Sequence, residues 1–255
     1  MTISTRWSLL QELKALGVAQ GDVVMVHSSL RAVGPVRGGA AEVVRAMMDC
    51  VGPTGTLVAY LDFEPFFDTD DEEEVARMPE FDPLTARAAL DHGVLHETMR
   101  TWPGAMRSAH PDAGVVAIGN RAQWFVEPHP FLYGYGRGTP FERILQAGAK
   151  VLMLGAPLDT ITLLHYAEHV AEIPGKRVVR YRRLMPGGKW VDFEEFDTSD
   201  PVSEKLPLNC FELIAEEFLA SGKGVDGKVG AGRTVLLDAQ DLVNFGVAWI
   251  ERVAG

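Results

Sequence analysis

The stretch Lys150-Val151-Leu152-Met153-Leu154-Gly155 decides the fold. Its unbroken apolar run is too short for a helix and stops at glycine, which predicts a strand covered on both faces. Upstream, Thr139-Pro140-Phe141-Glu142 places a hydroxyl at the N-cap, proline at N1 and glutamate at N3. That is a capping box opening a helix to Ala147. Downstream, Asp159 is a plausible N-cap, and Thr160 to Glu172 predicts a helix of about three turns. Helix, apolar strand and helix in succession point to an α/β core.

Working outward, the alternation continues. Leu9, Leu10, Leu13 and Leu16 make a helical stripe that Gly17 closes. Val23 to Val26 predicts a buried strand. Ala40 to Val51 predicts a helix, followed by the turn Gly52-Pro53-Thr54-Gly55 and a strand from Thr56 to Leu61. A helix over Gly93 to Arg100 and a strand over Gly114 to Gly119 follow. After Pro174-Gly175-Lys176 the pattern changes. Arg177 to Leu184 and Lys189 to Phe196 flank Met185-Pro186-Gly187-Gly188, which predicts an antiparallel hairpin. A helix over Phe211 to Leu219, a strand over Thr234 to Leu237 and a helix over Ala239 to Val253 complete the chain. The expected fold is α/β: a mostly parallel central sheet flanked by helices, with an antiparallel hairpin region in the C-terminal half. Residues 1–255 are expected to form one domain, since neither a linker nor a repeat interrupts them.

Composition narrows the function. The chain has 255 residues, is 47% hydrophobic, and supports a substantial core. It contains no run of about 18 apolar residues, and its first residues lack the apolar centre of a signal peptide. Cys50 and Cys210 have no metal-site spacing. These features predict a cytoplasmic protein with two inert thiols and no membrane contact. The net charge of −11 argues against nucleic acid, which needs a basic face, and favours cationic partners. Asp62, Glu64, Asp68, Asp70, Asp71, Glu72, Glu73 and Glu74 form an acidic run with no base inside it. Such a run is usually a solvated loop. Here it directly follows a strand, and strand ends in α/β sheets are where ligands gather.

Two further stretches carry chemistry. On the helix expected over Thr160 to Glu172, the residues Thr162, His165, Glu168, His169 and Glu172 fall within an arc of about 120°. A titratable stripe on an apolar helix suits proton transfer, metal binding or simply a wet face. His165-x-x-Glu168-His169 also fits the inverted zincin motif H-x-x-E-H, so a zinc peptidase is an alternative reading. The second stretch, His27-Ser28-Ser29-Leu30-Arg31 with Arg37-Gly38-Gly39, runs from a strand end into a helix start. Free backbone N–H groups there favour anions, while Ser28, Ser29, Arg31 and Arg37 add donors and charge. A serine-capped loop is the plainer reading, because the phosphate-loop pattern is incomplete.

Taken in order, several segments resemble the antibiotic N-acetyltransferase family, the aminoglycoside 3-N-acetyltransferases. They are Val26-His27-Ser28-Ser29-Leu30-Arg31-Ala32-Val33-Gly34 with Gly38-Gly39, then Phe81-Asp82-Pro83, then Gly93, Glu97, Arg100 and Pro103-Gly104. Arg107-Ser108-Ala109-His110-Pro111, Gly136 with Thr139-Pro140, and Thr162-x-x-His165-x-x-Glu168 continue the series. It ends with Gly227-Lys228-Val229-Gly230-Ala231 and Phe245-Gly246. Thr85-Ala86-Arg87 and Gly114 depart from the family pattern and remove polar groups.

The resemblance implies transfer of an acetyl group from acetyl-coenzyme A to the 3-amino group of a 2-deoxystreptamine ring, conferring antibiotic resistance. It implies direct attack in a ternary complex and no metal. A protonated amine has no lone pair, so a base must take its proton; a neutral imidazole suits that task. His165 is the candidate base, with Glu168 and Thr162 one turn to either side. His27, Ser28, Ser29, Leu30, Arg31, Val33, Arg37, Gly38, Arg107 and Ser108 are the candidate acetyl-coenzyme A contacts. Asp62, Glu64, Asp68, Asp82, Glu168 and Glu172 are the candidates for the aminoglycoside polycation. Either a monomer or a homodimer is compatible with this reading.

Overall fold

In the computed structural model the described residues are 3–63, 77–199 and 201–255. The chain opens with α1 (Arg6–Leu16), where Thr5 and Ser8 cap each other reciprocally and Leu9, Leu13 and Leu16 are buried. Then come β1 (Val23–Ser28), the short α2 (Leu30–Val33), α3 (Ala40–Val51) and β2 (Thr56–Tyr60). A 3-10 turn at Leu90–His92 leads into α4 (Gly93–Arg100), β3 (Met106–Arg107), β4 (Val115–Gly119) and α5 (Ala122–Val126). Next are α6 (Pro140–Gln146) and β5 (Lys150–Leu154). A second 3-10 turn, Leu158–Thr160, precedes α7 (Leu164–Val170). The chain finishes with β6 (Val178–Met185), β7 (Lys189–Phe196), α8 (Cys210–Ala220), β8 (Val225–Val229), β9 (Gly232–Asp238) and α9 (Ala239–Ala254).

Seven strands form the central sheet in the order β3-β4-β2-β1-β5-β9-β8, and β6 and β7 form the separate antiparallel hairpin. Parallel pairing occupies the middle, β2 with β1 and β1 with β5. The outer strands run antiparallel. For β8 and β9 the cause is local, since a turn of two residues can join only antiparallel strands. Along β1 and β5 successive side chains feed opposite cores. Met25, Val151 and Met153 pack on one face with Leu164, Ala167, Ile214 and Leu242. Val24, Val26, Leu152 and Leu154 pack on the other with Leu9, Leu13, Val44 and Met47. A two-period strand covered on both faces therefore reads as an unbroken apolar run.

Two local details position the functional residues. Gly155 ends β5 with φ +69, and a Cβ there would stand 2.9 Å from Ala32 Cβ and 3.1 Å from the Ser29 carbonyl oxygen. Glycine thus lets the start of α2 lie against the end of β5, joined by the Ser29 N–H to the Leu154 carbonyl at 3.0 Å. The helix expected from Thr160 to Glu172 is shorter than its periodicity suggests. Asp159 lies in the 3-10 turn without capping a helix, and Ile161 (ψ 84) interrupts before α7 begins. The break turns Ile161, Leu163 and Leu164 inward together, each 0% exposed. At the other end Ala171 is extended, which leaves Glu172 off the helix and exposed.

Candidate active site

A cleft of about 700 Å³ opens at the C-terminal ends of β1, β2 and β5. His27, Ser28, Ser29, Leu30 and Arg31 line it from β1 and the start of α2, and Tyr60 from β2. Residues 90–96 form another wall. Ala156, Pro157, Asp159, Thr160, Thr162, His165 and Phe211 complete it. A second cavity of about 420 Å³ shares Asp159, His165 and Phe211 and adds Glu168, Thr198, Ser199, Asn209 and Cys210. His165 therefore stands where two cavities meet.

The imidazole of His165 is held from several sides. Its Nδ1 lies 2.8 Å from Glu168 Oε2, one helical turn on. Its ring packs between Tyr135 and Phe211, with centroids 4.9 and 4.8 Å away. Glu168 is 2% exposed, and its other oxygen accepts the Val202 N–H at 3.2 Å. With Nδ1–H donating to the carboxylate, Nε2 keeps its lone pair for a proton. Glu168 is engaged on both oxygens, so it orients His165 and has no open face for a substrate ammonium. Thr162 lines the cleft, but its hydroxyl donates to the Thr160 carbonyl at 3.4 Å, a bond within its own loop.

His169 turns elsewhere. Its Nε2 lies 2.8 Å from Glu195 Oε1 and its ring meets Phe196 edge-on. The two histidines of the H-x-x-E-H stretch thus address different carboxylates, and the zincin reading has no shared ligand point. Among the described residues, three metal-ligating atoms converge at Asp62, Asp91 and His92, within 4.8 Å of one another.

Asp91 and His92 of that group line the cleft, and Asp62 stands behind them on His92. The His92 ring is hydrogen-bonded to Asp62 through Nε2, lies 4.0 Å from Asp91, and packs against Tyr60 and His96. Sequence reasoning selected Asp62 but missed His92, Asp91, His96, Tyr60, Tyr135 and Phe211. No local signal marks them, because Asp62 and His92 are thirty positions apart.

The other expected contacts divide by location. His27 is 5% exposed, and burial, with His96 and His92 nearby, holds its imidazole down to about 3. Its Nε2 and the Ser28 hydroxyl have no hydrogen-bond partner among the described residues. Arg31 is exposed at the cleft rim. Val33 is a core residue at 1% exposure, and Gly38 and the exposed Arg37 sit in a turn, so none of the three lines either cavity. Arg107 is half-buried with its guanidinium over the Phe81 ring, donating to the Ala86 carbonyl at 2.6 Å and the Asp62 carbonyl at 3.4 Å. Burial pushes it down to about 10, and its bond to the Asp62 carbonyl joins it to the Asp62–His92 pair. Ser108 is fully buried, bonded to Val115 and His129. Asp82 spends its carboxylate on Leu84 N–H and the Thr85 hydroxyl, both at 2.9 Å. Glu172 and Asp82 thus lie off both cavities. Glu64 and Asp68, with the acidic run to Glu74, fall outside the described residues.

Residues 25–251 match the family model described as aminoglycoside 3-N-acetyltransferase. The chain is 41% identical over 265 residues to an aminoglycoside N(3)-acetyltransferase III of Acinetobacter baumannii, covering 98% of this chain and 93% of that one. It is 43% identical over 266 residues to an aminoglycoside N(3)-acetyltransferase VIII of Streptomyces fradiae, with 98% and 93% covered. Among solved structures it superposes on AAC-IIIb in a binary complex with CoASH, at TM-score 0.96 and 46% identity over 100% of this chain and 98% of that one. It superposes on AAC-VIa bound to sisomicin at TM-score 0.92 and 39% identity, with both chains covered in full.

Proposed function

Because the chain belongs to the aminoglycoside 3-N-acetyltransferase family, we propose that it acetylates the 3-amino group of the 2-deoxystreptamine ring by direct attack in a ternary complex, with His165 as general base. The enzyme is an acyltransferase and its co-substrate is acetyl-coenzyme A.

The observation that carries the mechanism is His165 at the junction of two cavities, with Nδ1 tied to a buried carboxylate. As the amine attacks the thioester carbon, its proton passes to His165 Nε2, and Glu168 stabilises the imidazolium that forms. The C–S bond then breaks and the thiolate leaves as coenzyme A after protonation. The wall from His27 to Arg31 accommodates the thioester arm, with Arg31 at the rim for phosphate. Asp91 and Asp159 line the cleft and offer carboxylates to the ammonium groups of the sugar, with Asp62 behind them on His92.

An acetyl-enzyme route is poorly served. Cys210 is the thiol lining the second cavity, and burial, with Glu168 nearby, pushes it up to about 12. Its nucleophilic thiolate is therefore scarce at neutral pH. Initial-rate measurements of coenzyme A thiol release with a gentamicin-type drug test both parts of the reading. Intersecting double-reciprocal lines are expected. Parallel lines would overturn direct transfer, and no thiol release with any deoxystreptamine drug would overturn the activity.

A further inference from the structure

Attack on a thioester drives an electron pair onto the carbonyl oxygen, which then needs a positioned hydrogen-bond donor. Two backbone donors at this corner are already used. The Ser29 N–H donates to the Leu154 carbonyl and the Gly155 N–H to the Arg233 carbonyl. In the same corner His27 lines the cleft that His165 lines, and its Nε2 is buried without a partner among the described residues. The adjacent Ser28 hydroxyl shares that condition. Buried polar atoms in folded proteins almost always have partners, so an orphaned ring nitrogen on a ligand cleft marks a place for a ligand atom. Pairing of β1 with β5 sets His27 beside Met153 and Ser28 beside Leu154, immediately before the loop that carries the chain to His165.

We propose that His27 is a catalytic residue of the acetyl transfer, a neutral imidazole whose Nε2–H is donated to the thioester carbonyl oxygen as it becomes an oxyanion. This rests on the reaction proposed above and assigns its electrophilic half. The amine lone pair forms the new C–N bond while the carbonyl π pair moves to oxygen. His27 shares its proton with that oxygen and keeps it, and the amine proton goes to His165. Collapse returns the pair, re-forms the carbonyl and expels the thiolate. The charge state fits. An imidazole held down to about 3 is neutral at pH 7 and too weak a base to take the amine proton, so the two histidines divide the work.

The test is difference infrared spectroscopy of acetyl-coenzyme A labelled with ¹³C at the thioester carbonyl, with steady-state rates alongside. The bound carbonyl stretch should fall in frequency relative to free thioester in the wild type and in His165→Ala, and the fall should vanish in His27→Leu. The kcat of His27→Leu should drop by roughly 10²–10³-fold, the usual cost of losing an oxyanion donor. His27→Gln, whose amide can donate, should keep the shift and stay within about tenfold of wild type. If His27→Leu fails to fold by thermal melting, His27→Gln decides, and a folded Gln variant that loses both shift and rate overturns the assignment. A shift that persists in folded His27→Leu, or a kcat within threefold of wild type, also overturns it. A wild-type enzyme that binds acetyl-coenzyme A with an unshifted carbonyl overturns the role of His27 alone. A wild-type enzyme that does not bind it overturns the parent reaction as well.

Discussion

At the scale of single residues, the proposed mechanism depends on the His165 lone pair and on the Glu168 carboxylate that aims it. His165→Ala removes the base but leaves Glu168 buried beside Val202, so kcat should fall by roughly 10²–10⁴-fold with little change in KM. Glu168→Gln keeps the volume and a hydrogen-bonding group but loses the charge that stabilises the imidazolium. It should cost less, on the order of 10–100-fold, as second-sphere partners of functional histidines usually do. Steady-state rates of both variants check the ordering; His165→Ala within threefold of wild type would remove it from the mechanism. This pair was legible in the sequence because residues three apart on a helix share a face. His92 and Asp62 were not, since nothing in either local pattern announces a partner thirty positions away. The exposed or buried fate of Asp82, Arg107 and Ser108 was hidden for a related reason. Short polar side chains and arginines serve turns and cores as readily as ligands, and only the packing decides.

At the scale of elements, the placement of the proposed base rests on α7, which at seven residues is too short to persist unaided. Packing holds it. Gly246 on α9 lies beneath it, and a Cβ there would come 3.0 Å from Leu164 Cδ2 and 3.4 Å from Ala167 Cβ. Gly246→Leu should therefore overfill this contact, lowering stability by about 1–3 kcal/mol and displacing the helix that carries His165. Thermal melting and kcat at a temperature where the variant is folded check this; unchanged values for both would mean that the contact yields freely. Short-range chemistry made most elements readable. The hairpin β6–β7 sits where its glycine turn predicted, and α3 and α4 begin and end at the expected residues. The capping box at Thr139 is realised in altered form, with Thr139 Oγ1 accepting from Phe141 and Glu142 reaching back to the Gly138 N–H. What the sequence hid was strand direction. β4 and β9 have the composition of parallel strands because both their faces are covered, yet they run antiparallel, and β8, with few apolar residues, left no strand signal.

At the scale of the molecule, two charge effects should appear. The first concerns acid. Burial holds His27 down to about 3 and His96 and His129 to about 4, against an ordinary value of 6.5. Below pH 6.5 the unfolded chain takes up protons at these sites and the fold does not. Their contribution is thus fully present above pH 6.5 and lost as pH falls toward the folded values. Each should remove on the order of 2 kcal/mol between pH 7 and pH 5. Urea unfolding midpoints should drop sharply across that range, and equal midpoints at the two pH values would contradict the burial of these rings. The second effect concerns the substrate. A net charge of −11, with Asp91 and Asp159 at the cleft, attracts a polycation as a field; each exposed pair is worth only about 0–1 kcal/mol. The field reaches roughly 8 Å at physiological ionic strength and shrinks as salt rises. The anionic acetyl-coenzyme A should feel opposing changes, because salt weakens its proposed contact with Arg31 while screening repulsion from the acidic surface. Raising sodium chloride from about 50 to about 500 mM, where the screening length contracts severalfold, should therefore raise the aminoglycoside KM by about fivefold or more and move the acetyl-coenzyme A KM much less. Equal insensitivity of both constants would show that the carboxylates at the cleft take no part in gathering the drug.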